Sequence, residues 1–271
     1  LAGNGSFDYR NLQGHNDNLL PPLMVGTTEG LFASDAALVD FDGDGFADLP
    51  IGRIPALDNA ELDAYVDKLI RYEAGAGDWS SRLLLLADDQ EPGMDFAADS
   101  RQVASVLPPG LAVETLDLDT TPLGGARDRL FQALADGVGW INYLGHGSSD
   151  RLAREQLLAT SDVAGLENPV TPVITALTCL SNFFEMPGFA TLGEALVLNP
   201  DGGAVSVIAP TGLAQHPEAV ILSEALFQVV FVEGERVLGE ALLRALQDNA
   251  GDLGETGPLY ILFGDPALQL R

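Results

Sequence analysis

Two short apolar runs, each ending on a residue with reactive chemistry, constrain the fold of this chain more than any other feature. The first, Trp140-Ile141-Asn142-Tyr143-Leu144, stops at Gly145-His146-Gly147-Ser148. The second, Val173-Ile174-Thr175-Ala176-Leu177-Thr178, stops at Cys179, the single cysteine of the sequence. Runs this short, in part β-branched or aromatic and bounded by Gly, Pro or Ser, read as strands buried on both faces. Residues 152–158 between them predict a helix, so the unit reads strand, helix, strand, a right-handed crossover joining two parallel strands. If the two strands are neighbours, His146 and Cys179 emerge at the same carboxyl edge, where open α/β sheets place their ligands.

Strands covered on both faces need helices above and below, and the chain supplies them. Apolar residues recur at helical spacing over 59–73, and further helices are expected at 95–107, 126–136, 191–198, 219–232 and 236–249. Strands are expected at 23–25, 83–87, 111–116 and 204–209, with residues 1–30 otherwise in loops and a tail from Phe263. The alternation predicts an α/β fold with a mostly parallel central sheet. A length of 271 residues is enough for one such core or two closely packed ones. We place the boundary after residue 79, with 1–79 as an N-terminal subdomain portion and 80–271 as the second unit.

Charge and composition exclude several functions. Forty acidic against thirteen basic residues leave a net charge of -27, which argues against nucleic acid, whose phosphates require a basic face. No segment is apolar for the roughly 18 residues a membrane helix needs, so no membrane insertion is expected. A lone cysteine forms no internal disulfide. Leu1 begins without a methionine or a basic leader, as in a processed product or an excised domain.

The sharpest motif of the first half is the acidic run at 40–48. Asp40, Asp42, Asp44 and Asp48 occupy the first, third, fifth and ninth places of a calcium-type loop, and the carbonyl of Phe46 the seventh. Ile51 stands at the twelfth place, where an EF-hand carries a bidentate glutamate. The run is not an EF-hand, yet clustered carboxylates repel unless a cation neutralises them, so a structural calcium is expected. The competing reading is an acidic turn held by side-chain to backbone hydrogen bonds. No organic cofactor is called for.

Cys179 and His146 allow nucleophilic catalysis: the imidazole takes the thiol proton and returns it to a leaving amine. The amides of Gly147 and Cys179 are the candidate donors to an oxyanion. Asp88-Asp89, at the end of the 83–87 strand, is a second candidate pair, with helix capping the expected task of at least one. Only three histidines are present, and His216 lies in a separate loop, which argues against a Cys/His metal site.

The segments Tyr143-Leu144-Gly145-His146-Gly147-Ser148 and Ala176-Leu177-Thr178-Cys179 resemble the histidine and cysteine motifs of the gingipain-like cysteine peptidases, in the caspase-like group of folds. The likeness extends, in order, through 40–48, Ile51-Gly52-Arg53-Ile54-Pro55, Gly202-Gly203-Ala204-Val205, Leu238-Gly239-Glu240-Ala241 and Gly264-Asp265-Pro266. The resemblance implies a three-layer α/β/α sandwich, Cys179 as nucleophile, His146 as general acid and base, and Gly147 with Cys179 as oxyanion donors. It also implies Asp89 as the carboxylate orienting the histidine and Asp95 as the acidic group of a pocket for Arg or Lys. Cleavage of polypeptide after a basic residue, in a secreted or surface setting, is the resulting expectation, with a propeptide or attached domains left open. The alternatives are a silent calcium-stabilised binding module, a sorting peptidase or transpeptidase of secreted proteins, and a cytosolic acyl-transfer enzyme with the same dyad.

Overall fold

The five-residue segment Leu83-Leu84-Leu85-Leu86-Ala87 shows how the molecule is built. Leu84 and Leu86 face one apolar core and Leu83 and Leu85 another, and all four are at most 2% exposed. Each such leucine contributes on the order of 2 kcal/mol of apolar burial. A run with no polar alternation therefore marks a strand between two helical layers.

The computed structural model describes residues 1–15 and 17–271. A hairpin of β1 (Met24–Thr27) and β2 (Gly30–Ala33) comes first. There follow α1 (Asn59–Ala74), β3 (Arg82–Ala87), α2 (Phe96–Ser105), β4 (Ala112–Asp117), α3 (Leu123–Asp136) and β5 (Trp140–Leu144). Short strands β6 (Gly147–Ser148), β7 (Arg151–Leu152) and β8 (Leu158–Ala159), with the turn α4 (Thr160–Val163), lead to β9 (Val173–Leu177). The chain closes with α5 (Leu192–Leu198), β10 (Ser206–Pro210), α6 (His216–Phe227), α7 (Leu238–Gln247), α8 (Ala250–Leu253) and β11 (Tyr260–Phe263).

The six-stranded sheet runs β11-β10-β9-β5-β3-β4, with β11 antiparallel and the rest parallel. One face packs Tyr65 of α1, Leu130 of α3 and Leu196 of α5; the other packs Val103 of α2, Leu222 of α6 and Leu242 of α7. This is the α/β/α sandwich that the sequence led us to expect. Local signals set the helix starts. Asp58 accepts the Glu61 N–H at 3.0 Å, Asp95 accepts the Ala98 N–H at 2.8 Å, and Thr191 with Glu194 forms a reciprocal capping box.

The helix expected at 152–158 is absent. That stretch turns through Ala153 and Gln156, with φ of 59° and 66°, and forms the β6-β7-β8 meander. Its residues are good helix formers, but tertiary contacts override propensity. Leu152, Leu157 and Leu158 are all buried, a spacing no single helical stripe accommodates so close to β7. The Arg127 guanidinium also takes the carbonyls of Gln156 and Leu157, at 2.6 and 3.2 Å, while pairing with Asp162 at 2.7 Å. Further elements not foreseen are β2, the short turns α4 and α8, and β11 just ahead of the expected tail. The 219–232 helix begins earlier, at His216, and gives way to a wider turn at Gln228–Val232.

Residues before α1 lie against β11. Arg53 donates its N–H to the Leu262 carbonyl and accepts from Gly264, covering that sheet edge. Its side chain is fully buried, bonded to both Asp35 oxygens at 2.6 and 2.9 Å and to the carbonyls of Gly3 and Leu20, with its plane over the Phe184 ring at 4.5 Å.

Candidate active site

Parallel pairing of β5 with β9 sets Leu144 opposite Leu177. His146 and Cys179 each lie two residues beyond that last pair, at the same carboxyl edge. The two loops touch: a Cβ on Gly147 would fall 2.5 Å from Thr178 Oγ1, so only glycine allows this approach.

The backbone of His146 is held from both sides. Asp88, buried at the end of β3, accepts its N–H at 2.8 Å. Its carbonyl accepts from Ala153 N–H at 2.9 Å and lies 2.7 Å from the Tyr143 hydroxyl, which also stands 3.1 Å from Asp88 Oδ2. Burial pushes the Asp88 carboxyl above its ordinary range, while the N–H groups of His146 and Asp89 pull the other way. A Cβ on Gly145 would meet Asp88 Cβ at 2.4 Å, so this clamp too depends on a glycine.

The imidazole meets a different carboxylate. Its Nε2 lies 3.1 Å from Glu91 Oε2, outside hydrogen-bond alignment, and Glu91 Oε1 is paired with Arg154 at 2.7 Å. The Phe96 ring stands edge-on to the imidazole at 5.5 Å. Arg154 reaches Glu91 from the β7–β8 turn where a helix had been expected. Neither Asp88 nor Asp89 caps α2, the task expected of one of them; Asp95 does so. Asp89 is exposed, its carboxylate gathered with those of Asp88 and Glu155 within 4.8 Å.

Cys179 is half-buried. Among the described residues its thiol bonds to the Ala214 carbonyl, 3.6 Å away, rather than to His146. Burial raises its pKa, so the resting group is the thiol. Asp95 is exposed and borders a cleft of about 610 Å³ shared with Gln90, Met94, Asp99, His216 and Val220.

Across the molecule, the carboxylates of Asp40, Asp42 and Asp48 come within 4.8 Å of one another. Gly43 and Gly45 adopt φ of 81° and 94°, and their N–H groups bond to the two oxygens of Asp40 at 2.7 and 3.0 Å. Asp44 lies outside that trio and accepts from Phe46 N–H at 2.8 Å; the Phe46 ring is buried against Gly257. Three carboxylates with lone pairs left over after these turns fit a hard cation, so the loop combines features of both readings.

The sequence matches Peptidase family C25 over residues 1–271. The chain belongs to peptidase family C25. Among solved structures, the Arg-specific cysteine proteinase gingipain R (RgpB) aligns with all of this C25 chain at 20% identity and a TM-score of 0.82. The complex of Porphyromonas gingivalis RgpB pro- and mature domains does so at 19% identity and 0.82. The C25 chain spans only 63% and 64% of those two chains. The Saccharomyces cerevisiae separase–securin complex shares the fold over 80% of it, at 13% identity and a TM-score of 0.55. No curated protein matches its sequence. The caspase-like fold implied by the His146 and Cys179 motifs is thus the fold of this C25 chain.

Sequence reasoning missed Glu91, Arg154, Phe96, Asp99 and the placement of His216. Phe96 and Asp99 share the first turn of α2 at helical spacing, but Glu91, Arg154 and His216 reach the site from three other segments, which no spacing rule links to them.

Proposed function

We propose that the chain is a cysteine endopeptidase acting through Cys179 and His146. The observation that carries this is the β5–β9 register, which brings both residues out at one sheet edge in a chain of a peptidase family. With Nε2 turned to Glu91, Nδ1 is the nitrogen left for the thiol. As Sγ bonds to the substrate carbonyl carbon, the thiol proton passes to His146 and the oxyanion takes hydrogen bonds from the amides of Gly147 and Cys179. Collapse breaks the C–N bond, and the imidazolium protonates the departing amine. Water, deprotonated by His146, then cleaves the thioester and restores the thiol. Glu91 acts as a positioning residue that favours the imidazolium, in the place first considered for Asp89.

The substrate we propose is polypeptide cut after Arg or Lys, with Asp95 on the wall of the neighbouring cleft; gingipain R is Arg specific. Asp40, Asp42 and Asp48 are the proposed holders of a structural calcium. A loop without a twelfth-position glutamate suits the calcium levels of a secreted or surface setting.

Labelling of Cys179 by arginyl and leucyl peptide chloromethyl ketones tests the reading. Rapid labelling that is lost in His146→Ala supports the dyad; labelling that survives that change, or none at all, makes the silent binding module the better account.

A further inference from the structure

The β7–β8 turn reaches His146 by two routes. The Ala153 N–H donates to the His146 carbonyl at 2.9 Å, and Arg154 pairs at 2.7 Å with Glu91, whose other oxygen lies 3.1 Å from His146 Nε2. The backbone and, through Glu91, the imidazole of the proposed general base thus both depend on the stretch 153–157.

That stretch does not hold its shape unaided. Ala153 and Gln156 sit at φ of 59° and 66°, left-handed conformations that residues carrying a β-carbon keep only where their surroundings impose them. Leu152, Leu157 and Leu158 bury the two ends of the turn, while residues 154–156 between them are exposed. The far end is fastened by Arg127, which comes from α3. Its Nη1 donates to the carbonyls of Gln156 and Leu157 at 2.6 and 3.2 Å, and its two terminal nitrogens reach the Asp162 oxygens at 3.0 and 2.7 Å. Asp162 in turn accepts the Ala159 N–H at 2.9 Å, and the guanidinium stands over the Phe131 ring at 5.1 Å. A planar, permanently charged fork can serve two carbonyls and a carboxylate together, a geometry that the single ammonium of a lysine does not reproduce.

Resting on the peptidase reading above, we propose that Arg127 is a positioning residue for His146: by gripping the Gln156 and Leu157 carbonyls it keeps the β7–β8 turn left-handed, and the turn in that form keeps Ala153 on the His146 carbonyl and Arg154 on Glu91. The partners of the Arg127 guanidinium are Gln156, Leu157, Asp162 and Phe131, so it acts on the imidazole only through the turn. Without the grip the turn relaxes toward right-handed backbone and both contacts loosen. A reacting group misplaced by about 1 Å can cost on the order of a hundredfold in rate, and the loss falls on turnover rather than on substrate binding.

The test measures kcat, KM and hydrogen exchange of the Ala153 amide in Arg127→Met, whose side chain still covers Phe131. On a peptide that the wild type cleaves, kcat should fall about tenfold with KM unaltered, and the Ala153 amide should exchange about tenfold faster. Adding Gln156→Gly, which enters the left-handed region without a β-carbon penalty, should recover most of both losses. Arg129→Met removes the same charge from the same helix, where Arg129 pairs with Glu114 at 2.6 Å, and should change neither. Circular dichroism confirms that each variant is folded; if Arg127→Met is not, Arg127→Met with Asp162→Asn, which leaves no unpaired carboxylate, carries the same expectation. Wild-type kcat in the folded Arg127 variant, a loss of kcat with Ala153 exchange unchanged, or a loss that Gln156→Gly does not relieve overturns the proposal. A wild type that cleaves no peptide removes the peptidase reading alone; faster Ala153 exchange in Arg127→Met then supports the grip on the turn, and unchanged exchange overturns it.

Discussion

Two regions of this molecule concentrate polar and charged side chains, and they treat them in opposite ways. In the clasp between the N-terminal segment and the β11 side of the sheet, Arg53, Asp35, Glu185 and Glu194 are at most 2% exposed. Arg53 has its partners on two carboxylate oxygens and two carbonyls, and Glu194 is bonded by Asn4 and Thr191. At the proposed catalytic edge, His146, Glu91 and Cys179 are only partly buried, the Glu91 contact is unaligned, and the thiol rests on Ala214. Around Arg53 and Glu194 the clasp is densely bonded and holds the sheet edge, with Glu185 Oε2 alone among its carboxylate oxygens left without a partner among the described residues; the proposed catalytic edge is under-bonded. A site that must take and release a proton needs groups whose hydrogen bonds tighten only with substrate.

The comparison breaks most sharply at Arg53. Arg53→Met should destabilise the protein by about 3–5 kcal/mol, because Asp35 remains as a buried uncompensated charge. Chemical denaturation measures this, and adding Asp35→Leu should restore much of the loss. Peptidase activity per folded molecule should be unaffected in both, and a large fall there would erase the division between the two regions.

The next effect comes from pH. Burial raises Glu185 and Glu194 from 4.5 to about 7. Their folded-state pKa lies above the unfolded one, so the folded state holds the extra protons. Their contribution is full below about pH 4.5 and is lost as pH rises toward about 7, by up to roughly 3 kcal/mol each. Lys68, bonded among the described residues only to the carbonyls of Leu196, Val197 and Ala204, is lowered by burial to about 7 and acts oppositely, so stability regained above that pH is its signature. Denaturation curves at several pH values should show the decline, and Glu194→Gln should flatten it; an unchanged slope would place the titration elsewhere.

Calcium removal is the third. Chelation should lower stability by about 2–3 kcal/mol if the ion is present at roughly a hundred times its dissociation constant, and Asp42→Asn should remove the response. Thermal unfolding with and without chelator measures it, and a calcium-insensitive wild type would leave 40–48 as a hydrogen-bonded turn. The smallest effect is at the edge itself. Glu91→Gln should reduce kcat about tenfold, with KM and unfolding unaltered. A tenfold loss accompanied by weakened resistance to unfolding would make Glu91 merely structural.

Much of the framework was legible before any coordinates. The leucines of 83–87 and the apolar runs at 140–144 and 173–177 announce two-sided burial, and the glycines around His146 announce close backbone approach. At 152–158 the same reasoning failed, since helix-forming residues were held as a meander by Arg127 from outside the segment and by the burial of their own Leu152, Leu157 and Leu158. Asp95 illustrates both outcomes: its place at a helix start follows from residue type, while the cleft it borders is assembled from α2 and the start of α6, which no local pattern encodes.

By itself, the sequence determined the central strands β3, β4, β5, β9 and β10 and the layered fold, because burial patterns are written in consecutive residues. Only the tertiary structure decided that β5 and β9 are neighbours and so bring an imidazole and a thiol to one edge, that Glu91 faces His146 and that Arg53 finds Asp35. Those contacts depend on the paths of loops and the packing of distant elements, and no local periodicity encodes them.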